Sequence, residues 1–415
     1  MRVAIVCRDT RGGVQPYAAL GQGLKAAGHD VAAIAPANLT SLFAEVGIEA
    51  VPLSGGDEMV QLAESGVAEM TGSARRAFMR RELPNQIGAW TREVLQGCEG
   101  ADLVTGGIGG MVIGLSVADR FGAPFVETHL QPVSAPTGRY PGVLLSGLPG
   151  WIGSPGRWLS HGVSDAALWM MFQGAMTKAR SDVLGLSGPV RPRASRPRVY
   201  GFSSRVVPLP PDPLRNVAGY WTLPLAKGWT PPVELERFIA APGAPVVAVG
   251  FGSMASRDPA ALTAIVAGAV KDAGVRAVLL GGWGGLQATE DPDLFYLDEA
   301  PHEWLFPQMA AVVHHGGAGT TGAGLRAGVP SVLVPFAVDQ PFWASRVEAL
   351  GVGPKAVPRR GLSRDGLANA LRSAVQGQAM QGRARALGQS LRQEHGVANA
   401  VAALEFFRDA PPRRR

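Results

Sequence analysis

The run Val312-Val313-His314-His315-Gly316-Gly317-Ala318-Gly319-Thr320-Thr321-Gly322 is the part of the sequence best equipped for chemistry. A β-branched apolar stretch leads into imidazoles, then a glycine-rich turn, then residues that suit the first turn of a helix. Glycines let a backbone come close to a ligand. The N–H groups at a helix start, with the helix dipole behind them, form an anion site. Thr320 and Thr321 add hydroxyl donors, and an imidazole N–H can donate to a phosphate oxygen. The run therefore suits a bound phosphate or diphosphate. A glycine turn ahead of an ordinary helix would carry many of the same residues, so the run alone leaves both readings open.

Such a turn needs a strand to bring it up and a helix to carry its dipole, and the chain supplies both repeatedly. Short apolar runs read as strands at Val3–Cys7, Val31–Ala35, Leu103–Thr105 and Phe125–Glu127, with a helix over Tyr17–Gly28 that stops at its glycine. The alternation breaks at Val206–Pro232, where Pro208, Pro210, Pro211, Pro213, Pro224, Pro231 and Pro232 favour an extended linker. It restarts with strands at Val246–Gly250, Ala277–Leu280, Leu294–Leu297, Ala311–His314 and Ser331–Pro335, and with helices such as Pro259–Ala273 and Thr320–Ala327. Strand–helix alternation of this kind implies parallel α/β sheets, here two domains in tandem. Ser363–Phe407 reads as a final amphipathic helical stretch packing across both. Arg139–Lys178 stands apart, with Trp151, Trp158, Trp169, Met170, Met171, Phe172 and Met176 among glycine and proline. Core packing of a helix hairpin and a surface for an apolar ligand are both open readings of it.

Composition bounds the partners. A chain of 415 residues suits two domains of about 200 residues each, and 46% hydrophobic against 17% charged residues gives it enough to bury a core. The net charge of +6 is mild for this length. Basic clusters at Arg75–Arg76, Arg80–Arg81, Arg191–Arg198 and Arg413–Arg415 permit contact with an anionic membrane. No nucleic-acid module signature accompanies them, so nucleic acid is not an expected partner. Cys7 and Cys98 alone make no disulfide framework or zinc site, which suits a reducing cytoplasm. The N-terminal apolar stretch is too short for a signal peptide, and no apolar run of about 18 residues marks a transmembrane helix.

The residues flanking the glycine turn sharpen its reading. Pro301-His302-Glu303-Trp304-Leu305-Phe306-Pro307 precedes it, and Arg326-Ala327-Gly328-Val329-Pro330 and Pro335-Phe336-Ala337-Val338-Asp339-Gln340-Pro341-Phe342-Trp343 follow. The whole block resembles the donor-binding signature of nucleotide-sugar glycosyltransferases of the GT-B fold, in the family of the sterol glucosyltransferases and vancomycin-type antibiotic glycosyltransferases. The resemblance extends to Thr10-Arg11-Gly12-Gly13-Val14-Gln15-Pro16-Tyr17, Tyr200-Gly201-Phe202, Gly219-Tyr220-Trp221 and Gly250-Phe251-Gly252-Ser253-Met254. It is weakest over Gly55–Gly100 and Arg139–Pro197.

The resemblance implies two Rossmann-like parallel-sheet domains facing a cleft. An acceptor-binding domain would span 1–215, a nucleotide-sugar-binding domain 216–395, and a helix crossing back to the first domain, with the basic tail, 396–415. It places His315, Gly317, Gly319 and Thr320 at the diphosphate, with Ser253 reaching a phosphate, and groups Arg11, Gly12 and Gly13 with the donor-binding residues. Asp339 and Gln340 would hold sugar hydroxyls, and Ala300, His302 and Trp283 the nucleobase. His314 is the structural member of the histidine pair. The implied reaction is inverting transfer of a hexose, with glucose favoured, from a UDP- or dTDP-sugar to a hydroxyl of a lipophilic acceptor such as a sterol, polyketide or lipid. The run Thr320–Gly328 leans towards the sterol-type members and so towards UDP-glucose. No cofactor or metal is implied. Asp291-Pro292-Asp293 matches an Asp-x-Asp metal pattern but sits where a turn before a strand is expected.

The chain departs from the family in two places. Where relatives carry the catalytic carboxylate of Arg-Gly-Asp-Val-x-Pro, this chain has Gly13. Either a base comes from elsewhere, or the acceptor ionises unaided, or the protein is weakly active; the candidate bases are Asp9 at the end of the first strand, and Glu127 or His129 after the strand Phe125–Glu127. Strand ends face the ligand crevice in parallel α/β folds. Plant-type relatives also carry a glutamate eight residues after the phosphate histidine, where Ala323 stands here. The rival readings are a sugar-nucleotide-binding paralogue without transfer, a nucleotide-sugar epimerase and a dinucleotide oxidoreductase. The last lacks a Gly-x-Gly-x-x-Gly after the first strand, where Arg11-Gly12-Gly13-Val14 stands.

Overall fold

The computed structural model describes residues 1–55, 72–190, 196–226, 228–252, 258–282, 285–336 and 338–409. Ser253, Trp283 and the basic residues at 191 and 413–415 lie outside them, as do the side chains at 75, 76 and 80. The chain divides into two compact units, one of Met1–Leu223 with His395–Arg415 and one of Pro224–Glu394.

The first unit is a seven-stranded sheet of β1 (Arg2–Val6), β2 (Asp30–Pro36), β3 (Ala50–Leu53), β4 (Leu103–Gly106), β5 (Phe125–His129), β6 (Arg198–Tyr200) and β7 (Arg215–Val217). Its order is β3-β2-β1-β4-β5-β6-β7, and every pairing is parallel. The strand order reverses between β1 and β4, which is where ligands bind in open α/β sheets, outside the carboxyl ends of the strands. The helix after β1 covers Arg11–Ala26. It begins six residues earlier than the apolar spacing suggests, with the glycine pair and Pro16 inside its first two turns. Pro16 lacks the N–H that would meet the Gly12 carbonyl, which hides the helix start from a sequence reading.

The second unit is a five-stranded sheet of β8 (Val246–Gly250), β9 (Arg276–Leu280), β10 (Leu294–Leu297), β11 (Ala311–His314) and β12 (Ser331–Leu333). The order is β10-β9-β8-β11-β12, again parallel throughout, with the reversal between β8 and β11. Val247, Val249, Leu279 and Val313 enter one core cluster, while Val246, Ala248, Val278 and Val312 enter another. Alternate side chains thus serve opposite faces, and both faces are buried, as the continuous apolar runs require.

Two boundaries differ from the sequence reading. The first unit ends at Leu223 rather than 215. Arg215–Val217 pairs with β6 as the sheet's edge strand, and Tyr220 and Trp221 are buried, with Trp221 edge-on to Tyr17 at 5.7 Å. The prolines at 208–213 therefore connect two strands within one unit. The final helical stretch is three helices, Arg364–Gln376, Gln378–Arg392 and Gly396–Asp409. Gly377 breaks the first from the second. The first two belong to the second unit, and the third returns to the first, where Asn399 Nδ2 donates to the Ala218 carbonyl at 2.9 Å.

Candidate active site

β11 delivers His314 and His315 to the reversal point of the second sheet, where His314 lies opposite Gly250 of β8. His314 is buried, and its Nδ1 accepts from the Gly316 N–H at 3.1 Å. It is a structural cap on the turn. Gly316 turns the chain with φ +91, a left-handed conformation that suits glycine. A Cβ there would also stand 3.0 Å from Leu333 Cδ2 and 3.3 Å from the Gln340 carbonyl. Gly317 then caps the helix Ala318–Ala327, its carbonyl accepting from Thr321 N–H at 2.9 Å. The N–H groups of Ala318, Gly319 and Thr320 precede that first helical bond, so they have no acceptor within the helix.

The His315 ring lies beside this helix start. A Cβ on Gly317 would be 2.5 Å from its Nε2, and one on Gly252, after β8, 2.9 Å from its Cε1. Its Nδ1 is buried and makes no hydrogen bond. Burial pulls the imidazole pKa down to about 4, so at neutral pH it is an uncharged donor. His314 is held well below the usual histidine range by burial and by the neighbouring His315 and His302. Of the two threonines, Thr320 is half-exposed and Thr321 is buried. Thr321 is thereby corrected from a ligand donor to an interior residue.

Asp339 and Gln340 open the helix Gln340–Ala349 beside the Gly316 turn. One Asp339 oxygen accepts from the Trp343 indole at 3.0 Å, and the Gln340 amide oxygen accepts from Phe336 N–H at 2.7 Å. Phe336 in turn meets Phe251 at the end of β8, with centroids 6.0 Å apart. The ends of β8, β11 and β12 thus converge on one place. Val338, just before Asp339, has φ 57 and is exposed. A β-branched residue in the left-handed region is strained, a feature of this turn that no sequence signal announces.

His302 stacks on Phe306 with centroids 4.2 Å apart. Together with Ala323, Arg326 and Arg392 it lines a pocket of about 240 Å³, so a methyl faces this space where a plant-type relative would have a carboxylate. Ala300 is half-exposed nearby in sequence. Asp291 accepts from Asp293 N–H at 3.0 Å and closes the turn before β10. Among the described residues no group of His, Cys, Asp or Glu is arranged to hold a metal ion.

The other candidates lie in the first unit, past the end of β1 and within β5. Asp9 is exposed, and its Oδ1 accepts from Thr10 N–H at 2.7 Å. Arg11 and Gly12 are exposed in the first helical turn, and Gly13 is buried against Asp9. Glu127 and His129 are fully buried and meet each other at 3.0 Å, with Arg198 Nε at 3.4 Å from the same carboxylate oxygen. Their side chains point into the protein, not into an open crevice at the strand end.

Comparisons with known proteins bear on the fold and on what the sequence is similar to. Residues 291–402 match the family model of the erythromycin biosynthesis protein CIII-like C-terminal domain. The chain is 34% identical over 433 residues to a sterol 3-beta-glucosyltransferase of Penicillium rubens, covering 99% of this chain and 30% of that protein. It thus spans about 30% of the length of that relative. Among solved structures, the glycosyltransferase SnogD from Streptomyces nogalater superposes with a TM-score of 0.67 at 20% identity, covering 98% of this chain and 99% of SnogD. The glycosyltransferase VinC in complex with dTDP gives 0.65 at 19%, covering 99% of this chain and all of VinC. The fold is that of the GT-B glycosyltransferases. In sequence the chain is similar to part of the sterol 3-beta-glucosyltransferases, and its residues 291–402 match the EryCIII-like C-terminal domain.

Proposed function

We propose that this protein transfers a hexose from a UDP- or dTDP-sugar to a hydroxyl of a lipophilic acceptor, with inversion at the anomeric carbon. The observation that carries this is His315, an uncharged, half-buried imidazole with a buried, unpartnered Nδ1, set beside a glycine-capped helix start at the reversal point of the second sheet. A diphosphate there would take hydrogen bonds from the Ala318, Gly319 and Thr320 N–H groups and from His315. As the acceptor oxygen bonds to the anomeric carbon, the bond from that carbon to the phosphate oxygen breaks. The leaving diphosphate gains charge where these donors already point. Asp339 and Gln340 are assigned to the sugar hydroxyls, and the pocket beside His302 to the nucleoside end.

The acceptor proton goes to Asp9 in this reading. Asp9 is the exposed carboxylate at the end of β1, whereas Glu127 and His129 are spent on each other and on Arg198. The sterol relatives and the dTDP complex of VinC support a nucleotide-sugar donor and an apolar acceptor, and UDP-glucose with a sterol-like alcohol is the first pair to assay.

The test is thermal unfolding with UDP, dTDP, GDP and NAD at equal concentration, followed by product analysis. A ligand at about 100 times its Kd adds roughly 2.7 kcal/mol to the folded state. A shift with UDP or dTDP alone, and a glycosylated product, support the reading. A shift without transfer leaves a sugar-nucleotide-binding paralogue, and no shift with any nucleotide removes the donor site.

A further inference from the structure

The helix Gly153–Asp182 is turned inside out over its first five turns. Its buried side carries Ser160, His161 and Ser164. These serve the loop before it: Ser160 Oγ accepts from Gly142 N–H at 2.8 Å, and His161 Nε2 meets the Tyr140 carbonyl at 3.1 Å. The opposite side is apolar and faces water. Trp158, Leu159, Val163, Met170 and Met171 are 49% to 70% exposed, and Trp151, just ahead of the helix, is 86% exposed. Between 151 and 174 the exposed positions recur every three or four residues, and none is charged. A surface helix ordinarily puts its polar side outward. Trp169 and Phe172, by contrast, pack partly against the core, and Met176 is buried, so the aromatic and methionine residues of this segment divide between interior and surface.

We propose that this stripe is a docking face for an anionic lipid bilayer. At about 1.5 Å rise per residue and about 10 Å helix width, it is roughly 35 Å long and covers roughly 350 Å². A stable dimer needs about 800 Å² from each partner, so a second copy of this chain is a poor occupant. A bilayer interface takes a long narrow stripe lying in its plane, with tryptophan at the headgroup level. The charges agree. Arg157 and Asp165 are the charged residues between 151 and 174; Asp165 is turned to the loop that the polar side serves, where its oxygen accepts from Ser134 N–H at 3.1 Å, and Arg157 donates to the Gly150 carbonyl beside Trp151, which puts a cation next to the stripe on a chain of net charge +6. No described helix is long and apolar enough to cross a membrane, so the contact is peripheral. This inference does not depend on the proposed transfer reaction.

The experiment is flotation of the full chain with vesicles of phosphatidylcholine and phosphatidylserine in about a three to one ratio, and with phosphatidylcholine alone. The wild type should float with the mixed vesicles and more weakly with the neutral ones. Trp151→Ser with Trp158→Ser should lower partitioning about tenfold or more, while thermal unfolding stays as in the wild type because both residues are exposed. Absence of flotation, equal flotation on both vesicle types, or unchanged flotation of the double variant would overturn the proposal. So would a concentration-dependent dimer that the double variant abolishes, which would give the stripe to a second copy.

Discussion

The Asp9 carboxylate fills the space that a side chain at residue 13 would enter. An ideal Cβ on Gly13 lies 2.2 Å from Asp9 Cγ and 2.4 Å from its Oδ2. The chain can hold a carboxylate from one of these two positions but not from both without displacement. Relatives of the Arg-Gly-Asp-Val-x-Pro pattern have theirs at the second position, and this chain has its own at the first. If Asp9 is the base, Asp9→Asn should lower kcat by about 10²–10⁴ while nucleotide affinity holds. Gly13→Asp alone should overcrowd the turn and lower stability. Asp9→Gly with Gly13→Asp should recover more activity than Asp9→Gly by itself. Full turnover in Asp9→Asn would reject the assignment.

His315 separates binding from chemistry. As an uncharged imidazole it can give one N–H to a phosphate oxygen, and hydrogen bonds to charged groups contribute roughly 1.5–3 kcal/mol. His315→Ala should weaken UDP or dTDP binding by about that much in a calorimetric titration. An unchanged Kd would take the residue out of the donor site.

The second sheet was legible because its strands are continuous apolar runs, and Val246–Gly250 and Ala311–His314 emerge as read. β6 and β7 were not. Each is three residues long, and they carry Arg198, Arg215 and Asn216; Arg198 is buried where Glu127 meets it, a pairing between strands distant in sequence. The candidate phosphate turn was visible in its glycines. The burial of Glu127 and His129 was not, since strand position alone does not say whether the crevice or the core receives a side chain. Nor was the relation of Asp9 to Gly13, which depends on a helix that begins before its apolar face does.

The histidines of the turn make stability depend on pH. His315 titrates near 4 in the folded protein against an ordinary 6.5, and His314 is shifted in the same direction. Between these values the unfolded chain binds protons that the folded one does not, so stability rises with pH across this window and levels above about 6.5. At about pH 5 the loss from His315 alone comes to roughly 2 kcal/mol. Asp272, held low by its hydrogen bond to Arg364, loses its contribution only below the usual carboxylate range, outside this window. Urea unfolding at about pH 7.5 and pH 5 should show the drop, and His315→Asn should shrink it. Stability that is level or higher at the lower pH would contradict the burial of these imidazoles.

Glu127 gives the counter-test to Asp9. It is fully buried between His129 and Arg198, and removing one partner of a buried ion pair strands the others, at about 3–5 kcal/mol. Glu127→Ala should lower unfolding free energy by that order while the nucleotide-induced rise in stability persists. Glu127→Gln keeps the shape and accepts the same hydrogen bonds with one oxygen. It should lose less stability and keep the pH profile of kcat. If Glu127 were instead the base, Glu127→Gln would retain stability and lose turnover, and the pH profile would lose its acidic limb. The two variants together therefore tell a carboxylate that holds the strand β5 to β6 from one that takes a proton.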